Sequence, residues 1–168
     1  MKNYIVINGK KAELTKEQLK QLGIETEKER NNPFNDTEEY RTEYYYIDTF
    51  GIERTLFDDR KVDRDFIYSV NCFNDKDFAN QVYLHELLNR KLLKYAYDHE
   101  AEDCEWSADD KSHFFIFFNY VLNKFDVNRH TMCKAGNCVY FSSEQVAKQA
   151  IEDVVKPFVK EEHPEFVW

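Results

Sequence analysis

Apolar and polar residues alternate from Tyr4 to Asn8, break at Asn8-Gly9, and alternate again from Lys10 to Leu14. That pattern predicts a tight hairpin, because Asn-Gly fits the positive-φ positions of a two-residue turn. Thr15, with Gln18 three residues later, predicts a capping box opening a short helix with Leu19 and Leu22 on its apolar side and Gly23 at its end. Residues 25–40 are charged or polar with little apolar period and read as a connector. Beyond it, Tyr44-Tyr45-Tyr46-Ile47-Asp48 predicts a strand, Phe50-Gly51 a turn, and Ile52 to Phe57 a returning strand. The mixed-charge run Asp58 to Asp65 reads as a loop, and Phe66 to Val70 as a third strand.

A helical period then takes over. Asn74 is placed to cap a helix running to about Tyr97, with Phe78, Val82, Leu84, Leu88, Leu92, Leu93 and Ala96 on one arc. Arg90, Lys91 and Lys94 lie opposite, while His85 and Asn89 inside the arc and Leu87 on the charged side are its misfits. Phe114 to Phe118 is apolar throughout and reads as a central strand. Asn119 to Asn123 turns it, and Lys124 to Asn128 returns. Asn128 to Gly136 is loop or bent strand, and Cys138 to Phe141 the last strand. Ser142 is placed to cap a final helix, with Gln145 at the capping-box position and an i, i+4 stripe through Val146, Ala150 and Val154 beside Ala147, Ile151, Val155 and Phe158. Pro157 should kink or end that helix. The tail from Glu161 finishes on Phe166 and Trp168, either packed back on the fold or exposed as a hook.

One signature occurs twice. Aligning Phe73 with Phe141 also matches Asn74 with Ser142, Phe78 with Val146, Ala79 with Ala147 and Gln81 with Gln149. The fold class implied is α+β, with antiparallel hairpins and helices packed on one face. Two related hairpin–strand–helix units, 41–100 and 101–168, stand behind a small N-terminal ββα unit (1–24), with 41–168 as one compact domain. Whether the two units share a sheet is left open by the pattern.

Composition narrows the function. With 168 residues, 14 Phe and 11 Tyr, the chain can build an aromatic core. Its formal charge of −9 argues against coating nucleic acid, which needs a basic face, and fits docking onto a basic surface instead. No stretch has the layout of a signal peptide or the length of a membrane span, so cytoplasmic residence is expected, with the four cysteines as reduced thiols.

Candidate chemistry is sparse. His130, Cys133 and Cys138, with Cys104 or His113 as a fourth ligand, form the best metal set, but a zinc site ordinarily shows a second close pair and none is present. A small buried thiol matching Cys72 is the plainer reading of Cys138. Cys133 with His130 or His113 has the residue types of a nucleophile–base pair and nothing in its spacing to mark it as one. His85 reads as a core histidine or part of a site. Ser142-Ser143 is accounted for by capping, and Gly9, Gly23, Gly51 and Gly136 stand too far apart for a phosphate loop. The expectation is no enzyme, no cofactor and no bound metal.

The segment from Asp98 to Asp110 stands out. It holds Asp98, Glu100, Glu102, Asp103, Glu105, Asp109 and Asp110, no Lys or Arg, and Trp106 in the middle. Three readings apply: a solvated loop, a calcium loop lacking its central glycine, or a partner surface in which carboxylates and an aromatic anchor meet a basic groove.

The Ile7-Asn8-Gly9-Lys10 hairpin with Leu14-Thr15-Lys16-Glu17-Gln18-Leu19, the Tyr44–Asp48 strand, and Asn137 to Ala150 around Tyr140-Phe141-Ser142-Ser143 together resemble a group of small accessory proteins of phages and prophages of low-G+C Gram-positive bacteria. The resemblance implies a phage-encoded protein acting in the bacterial cytoplasm. Small acidic phage proteins of this kind inhibit host machinery, anti-CRISPR proteins among them, so the implied partner is a host protein with a basic nucleic-acid-binding surface such as a CRISPR effector. Asp98 to Asp110 would then mimic nucleic acid, with no direct nucleic-acid or membrane binding. A structural or assembly component of the phage particle, or a metal-stabilised protein using His130, Cys133 and Cys138, are the alternatives.

Overall fold

The computed structural model describes residues 4–7, 10–15, 18, 32–35, 38–99, 112–131, 135 and 138–168, and the chain divides into two compact units, Met1–Asn32 and Pro33–Trp168. In the first unit, β1 (Tyr4–Ile7) pairs antiparallel with β2 (Lys10–Glu13), Ile7 opposite Lys10. The capping box after it is formed: Thr15 N–H donates to Gln18 Oε1 at 2.9 Å, and Gln18 N–H donates to Thr15 Oγ1 at 3.3 Å. The helix positions Leu19, Leu22 and Gly23 lie outside the described residues.

The second unit is α+β with antiparallel sheets. β3 (Glu43–Asp48) and β4 (Gly51–Leu56) form a two-stranded hairpin, and the φ of +137° at Gly51 makes glycine the residue its turn requires. β5 (His113–Asn119) is the middle strand of a separate sheet, between β6 (Lys124–His130) and the short β7 (Tyr140–Phe141). The helices are α1 (Lys61–Tyr68), α2 (Lys76–Asp98) and α3 (Glu144–Ala150), the last widening into π-helical turns over Ile151–Val155 and Phe158–Glu162. α2 packs on β3 and β4 and also against α3, while α3 lies on β5 and β6. The larger core gathers Leu84, Leu88, Leu92 and Ala96 of α2 with Phe141, Ala147, Val155, Phe158 and Phe166. A smaller one holds Tyr44, Phe57 and Cys72, with Tyr46, Phe66 and Ile67 against them.

Several expectations need correction. The loop Asp58–Asp65 and the strand Phe66–Val70 are instead a short approach to α1, α1 itself over Lys61–Tyr68, and a turn at Ser69-Val70. The inward face of α1 is Asp63, Phe66 and Ile67, an i, i+3, i+4 set whose first member is a charge, so the helical period is hidden from a hydrophobicity reading. α2 is capped by Asp75, whose side chain accepts from the N–H groups of Asp77 and Phe78; Asn74 reaches away to donate to the Phe34 carbonyl. α3 is capped by Ser143, which accepts from Val146 N–H at 3.2 Å, so Ser142 and Gln145 do not form the capping pair. The buried arc of α2 is Ala79, Leu84, Leu88, Leu92 and Ala96, with Leu87 half-buried against it; Leu93, His85 and Asn89 are exposed. β6 runs on to His130, and of Cys138–Phe141 only Tyr140 and Phe141 are strand. Pro157 does not end the last helix. Lacking an N–H for the carbonyl four residues back, it sits between wider turns in which His163 N–H donates to Phe158 O at 2.8 Å.

Candidate functional site

The acidic segment begins at the last residue of α2 and ends just before the central strand β5. Asp98, exposed, pairs with Lys94 one turn back. Glu100, Glu102, Asp103, Glu105, Trp106, Asp109 and Asp110 lie outside the described residues. Between Asp98 and Asp110 sits −7 of the formal −9, leaving −2 for all the rest of the chain.

The sheet brings two of the metal candidates together. His113 and His130 stand directly opposite one another in the β5–β6 register, beside Tyr140. His130 Nδ1 shares a hydrogen bond with the Tyr140 hydroxyl at 3.2 Å, and its ring lies 4.5 Å from that of Phe115. The same hydroxyl accepts from Ala135 N–H at 2.8 Å. Cys138 is a half-buried free thiol, and burial pushes its pKa up, away from the thiolate that would bind a metal or attack a substrate. Cys133 and Cys104 lie outside the described residues, among which no three His, Cys, Asp or Glu side chains are grouped to hold a metal.

Asp63, in the stretch expected to be a loop, is a fully buried carboxylate. Burial alone would raise its pKa; hydrogen bonds from Arg60, from Tyr44 and from two backbone N–H groups outweigh that and bring it down to about 2. Its Oδ1 accepts from the Tyr44 hydroxyl at 2.7 Å and from Arg60 Nη2 at 3.0 Å. Its Oδ2 accepts from Arg60 Nε and from the N–H groups of Asp58 and Arg60. Tyr44 is pushed up by its own burial and by this carboxylate, and Cys72, behind it, is raised by burial to about 11. Every oxygen of Asp63 is engaged from within the fold, so the group ties the β3–β4 hairpin to α1 and has none to spare for a ligand. Arg60-x2-Asp63 was its only signal in the sequence, a capping-box spacing without Ser or Thr.

A groove of about 910 Å³ opens between the far end of the β5–β6 hairpin and the outer flank of α3 and its π-helical continuation. Phe118, Phe125, Ile151 and Val159 give it an apolar floor. Ion pairs run along its rim: Lys124 with Asp126 at 3.1 Å, Lys148 with Glu144 at 2.5 Å, and Lys156 with Glu152 at 2.5 Å. Pairs this exposed contribute about 0–1 kcal/mol and exchange readily for a partner's charges. The hairpin tip beside it, Tyr120-Val121-Leu122, is exposed, Val121 at 92 %.

Against the same hairpin the C-terminal tail packs back. Phe166 is buried in the larger core, and the Trp168 ring meets that of Phe125 at 5.1 Å. His85, read as core or part of a site, is not in the core: exposed on α2, it bonds the Val167 carbonyl through Nε2 at 2.8 Å.

The chain matches no family model, no curated protein and no solved structure. No helix among the described residues is long and apolar enough to cross a membrane.

Proposed function

We propose that this is a phage-encoded, non-catalytic binding protein that inhibits a host defence or nucleic-acid-handling protein, in the manner of anti-CRISPR proteins, by docking an acidic surface on a basic groove in the host cytoplasm. The observation that carries the reading is the concentration of charge: seven carboxylates and Trp106 in one segment, anchored between a 23-residue helix and a central strand. Carboxylates spaced along a short segment match a groove built for phosphates, and an aromatic among them supplies the buried contact that charge alone lacks. A partner of that kind would be a CRISPR effector or another enzyme with a nucleic-acid channel.

The test is capture of host proteins by the tagged chain at low and high salt, alongside a variant carrying Glu102→Lys, Asp103→Lys and Glu105→Lys. One basic, nucleic-acid-handling protein, released by salt and not retained by the variant, is the expected outcome. A partner retained equally by the variant removes the acidic segment as the interface. A second reading, a structural component of the phage particle, draws on the exposed Tyr120-Val121-Leu122 tip beside the apolar groove. Stoichiometric presence in purified particles, with no host partner at either salt, would favour it.

A further inference from the structure

Gln81 and His85 sit one turn apart on α2 and both address the backbone of the C-terminal tail. The Gln81 carboxamide donates to the Glu165 carbonyl at 2.8 Å and accepts from the Val167 N–H at 2.9 Å. His85 Nε2 bonds the Val167 carbonyl at 2.8 Å, and the Tyr120 hydroxyl donates to the Trp168 carbonyl at 2.8 Å. In an extended chain, the carbonyl of 165 and both polar groups of 167 point along one edge. That edge rises by about 6–7 Å over two residues. Residues four apart on a helix are separated by about 6 Å along its axis. The Gln81–His85 row thus has the spacing of such an edge where the chain leaves the turn at Glu165, and it reads backbone rather than side chains.

The side-chain selectivity comes from the other direction. Phe166 enters the core, its ring 4.6 Å from that of His85 and 5.5 Å from that of Phe158. Trp168, two residues on and therefore on the same side, reaches Phe125, while Val167 between them is exposed. A β-turn, Phe166 N–H to His163 carbonyl at 3.0 Å, delivers the segment to this row.

We infer that Gln81, His85 and Tyr120 form a peptide-binding site for an extended segment with aromatic residues two positions apart, and that the chain's own Glu165–Trp168 occupies it in cis. This goes beyond the acidic-surface reading and stands without it. Backbone-directed bonds with alternate side-chain pockets are how extended peptides are recognised in general. A partner peptide of the same pattern, entering in trans, must compete with a tethered ligand whose effective concentration is of millimolar order. The site is therefore closed in the free chain and opens when the tail is displaced.

The probe is a labelled, C-terminally amidated peptide of the sequence from His163 to Trp168, offered to the full-length protein and to a full-length Phe166→Ala, Trp168→Ala variant whose own tail has lost its anchors. The variant should bind the peptide at least about tenfold more tightly than the wild type, and adding Gln81→Ala and His85→Ala should abolish that binding. A variant with wild-type circular dichroism that binds no better than wild type overturns the proposal, as does binding that survives the loss of Gln81 and His85. Should the double variant not fold, amide exchange on the wild type decides. The Val167 N–H should be protected, and Gln81→Ala should remove the protection. Free exchange of that amide in the wild type overturns the cis occupancy and the site with it.

Discussion

In the β3–β4 hairpin, Phe73 returns to bridge Tyr45, Asp75 caps a helix two residues later, and Ala79 is fully buried six residues on. In the β5–β6 hairpin, Phe141 returns to pair with Phe114, Ser143 caps two residues later, and Ala147 is fully buried six residues on. The backbone plan is shared, yet different forces secure the two. The second hairpin gains a third strand and lies under α3, in a core of Leu, Val, Ala and Phe that α2 also lines. The first has two strands, α1 inserted before the return, and a carboxylate at the centre of its small core. A lone two-stranded hairpin is marginal in water. Here α2 packs on both strands, and Asp63 adds a buried polar tie by collecting donors from Tyr44 on β3, from the Asp58 backbone after β4 and from Arg60 at the start of α1. Similar local plans can thus be completed by apolar burial or by one saturated charge, and the second route is sensitive to pH.

Two truncations break the comparison at its strongest points. Asp63→Ala leaves the buried Tyr44 hydroxyl and the Asp58 and Arg60 N–H groups without their acceptor and should cost about 3–5 kcal/mol by urea unfolding. Phe141→Ala leaves a cavity in the larger core at a cost of about 3–5 kcal/mol. Acid separates them. Because the folded pKa of Asp63 is depressed from 3.8 to about 2, its stabilisation is complete above pH 4 and lost as pH falls through 2. The difference between wild type and Asp63→Ala should shrink over that window, while the Phe141→Ala deficit persists; an Asp63→Ala deficit independent of pH would show that the charge is not what holds the hairpin. Tyr44→Phe removes one of five hydrogen bonds to the carboxylate and should cost about 1–2 kcal/mol, with exchange rising first in the β3–β4 amides. The smallest effect probes what the two regions have in common: Asp75→Ala and Ser143→Ala should each cost about 1 kcal/mol. Markedly unequal values would mean that matching positions in the two units do not have matching roles.

The candidate surfaces were unevenly legible. The acidic segment is visible in composition, since seven carboxylates among thirteen residues need no fold to be noticed. The tail clamp is not, because Gln81 and His85 meet residues more than 80 positions away and read only their backbone. His85 stood out as a misfit in the apolar arc, and its purpose comes from the tail that crosses it. The groove likewise joins Phe118 and Phe125 of one hairpin to Ile151 and Val159 of a helix that reads as an ordinary amphipathic stripe.

The sequence by itself determined the elements whose signals are local. Asn-Gly set the first hairpin, Thr15-x2-Gln18 its capping box, Phe50-Gly51 the second turn, and the run Phe114–Phe118 the central strand. Turn chemistry, caps and apolar period act over a few residues, so they survive without tertiary context. Only the tertiary structure decided that residues 61–68 are helical, because the inward face of α1 is completed by a charge whose burial depends on Tyr44 and Arg60 being in place. It also decided that the last helix continues past Pro157 and that the tail folds back, since both depend on what Phe158 and Phe166 find on α2. A buried carboxylate and a docked tail owe their stability to partners distant in sequence, and no local pattern records them.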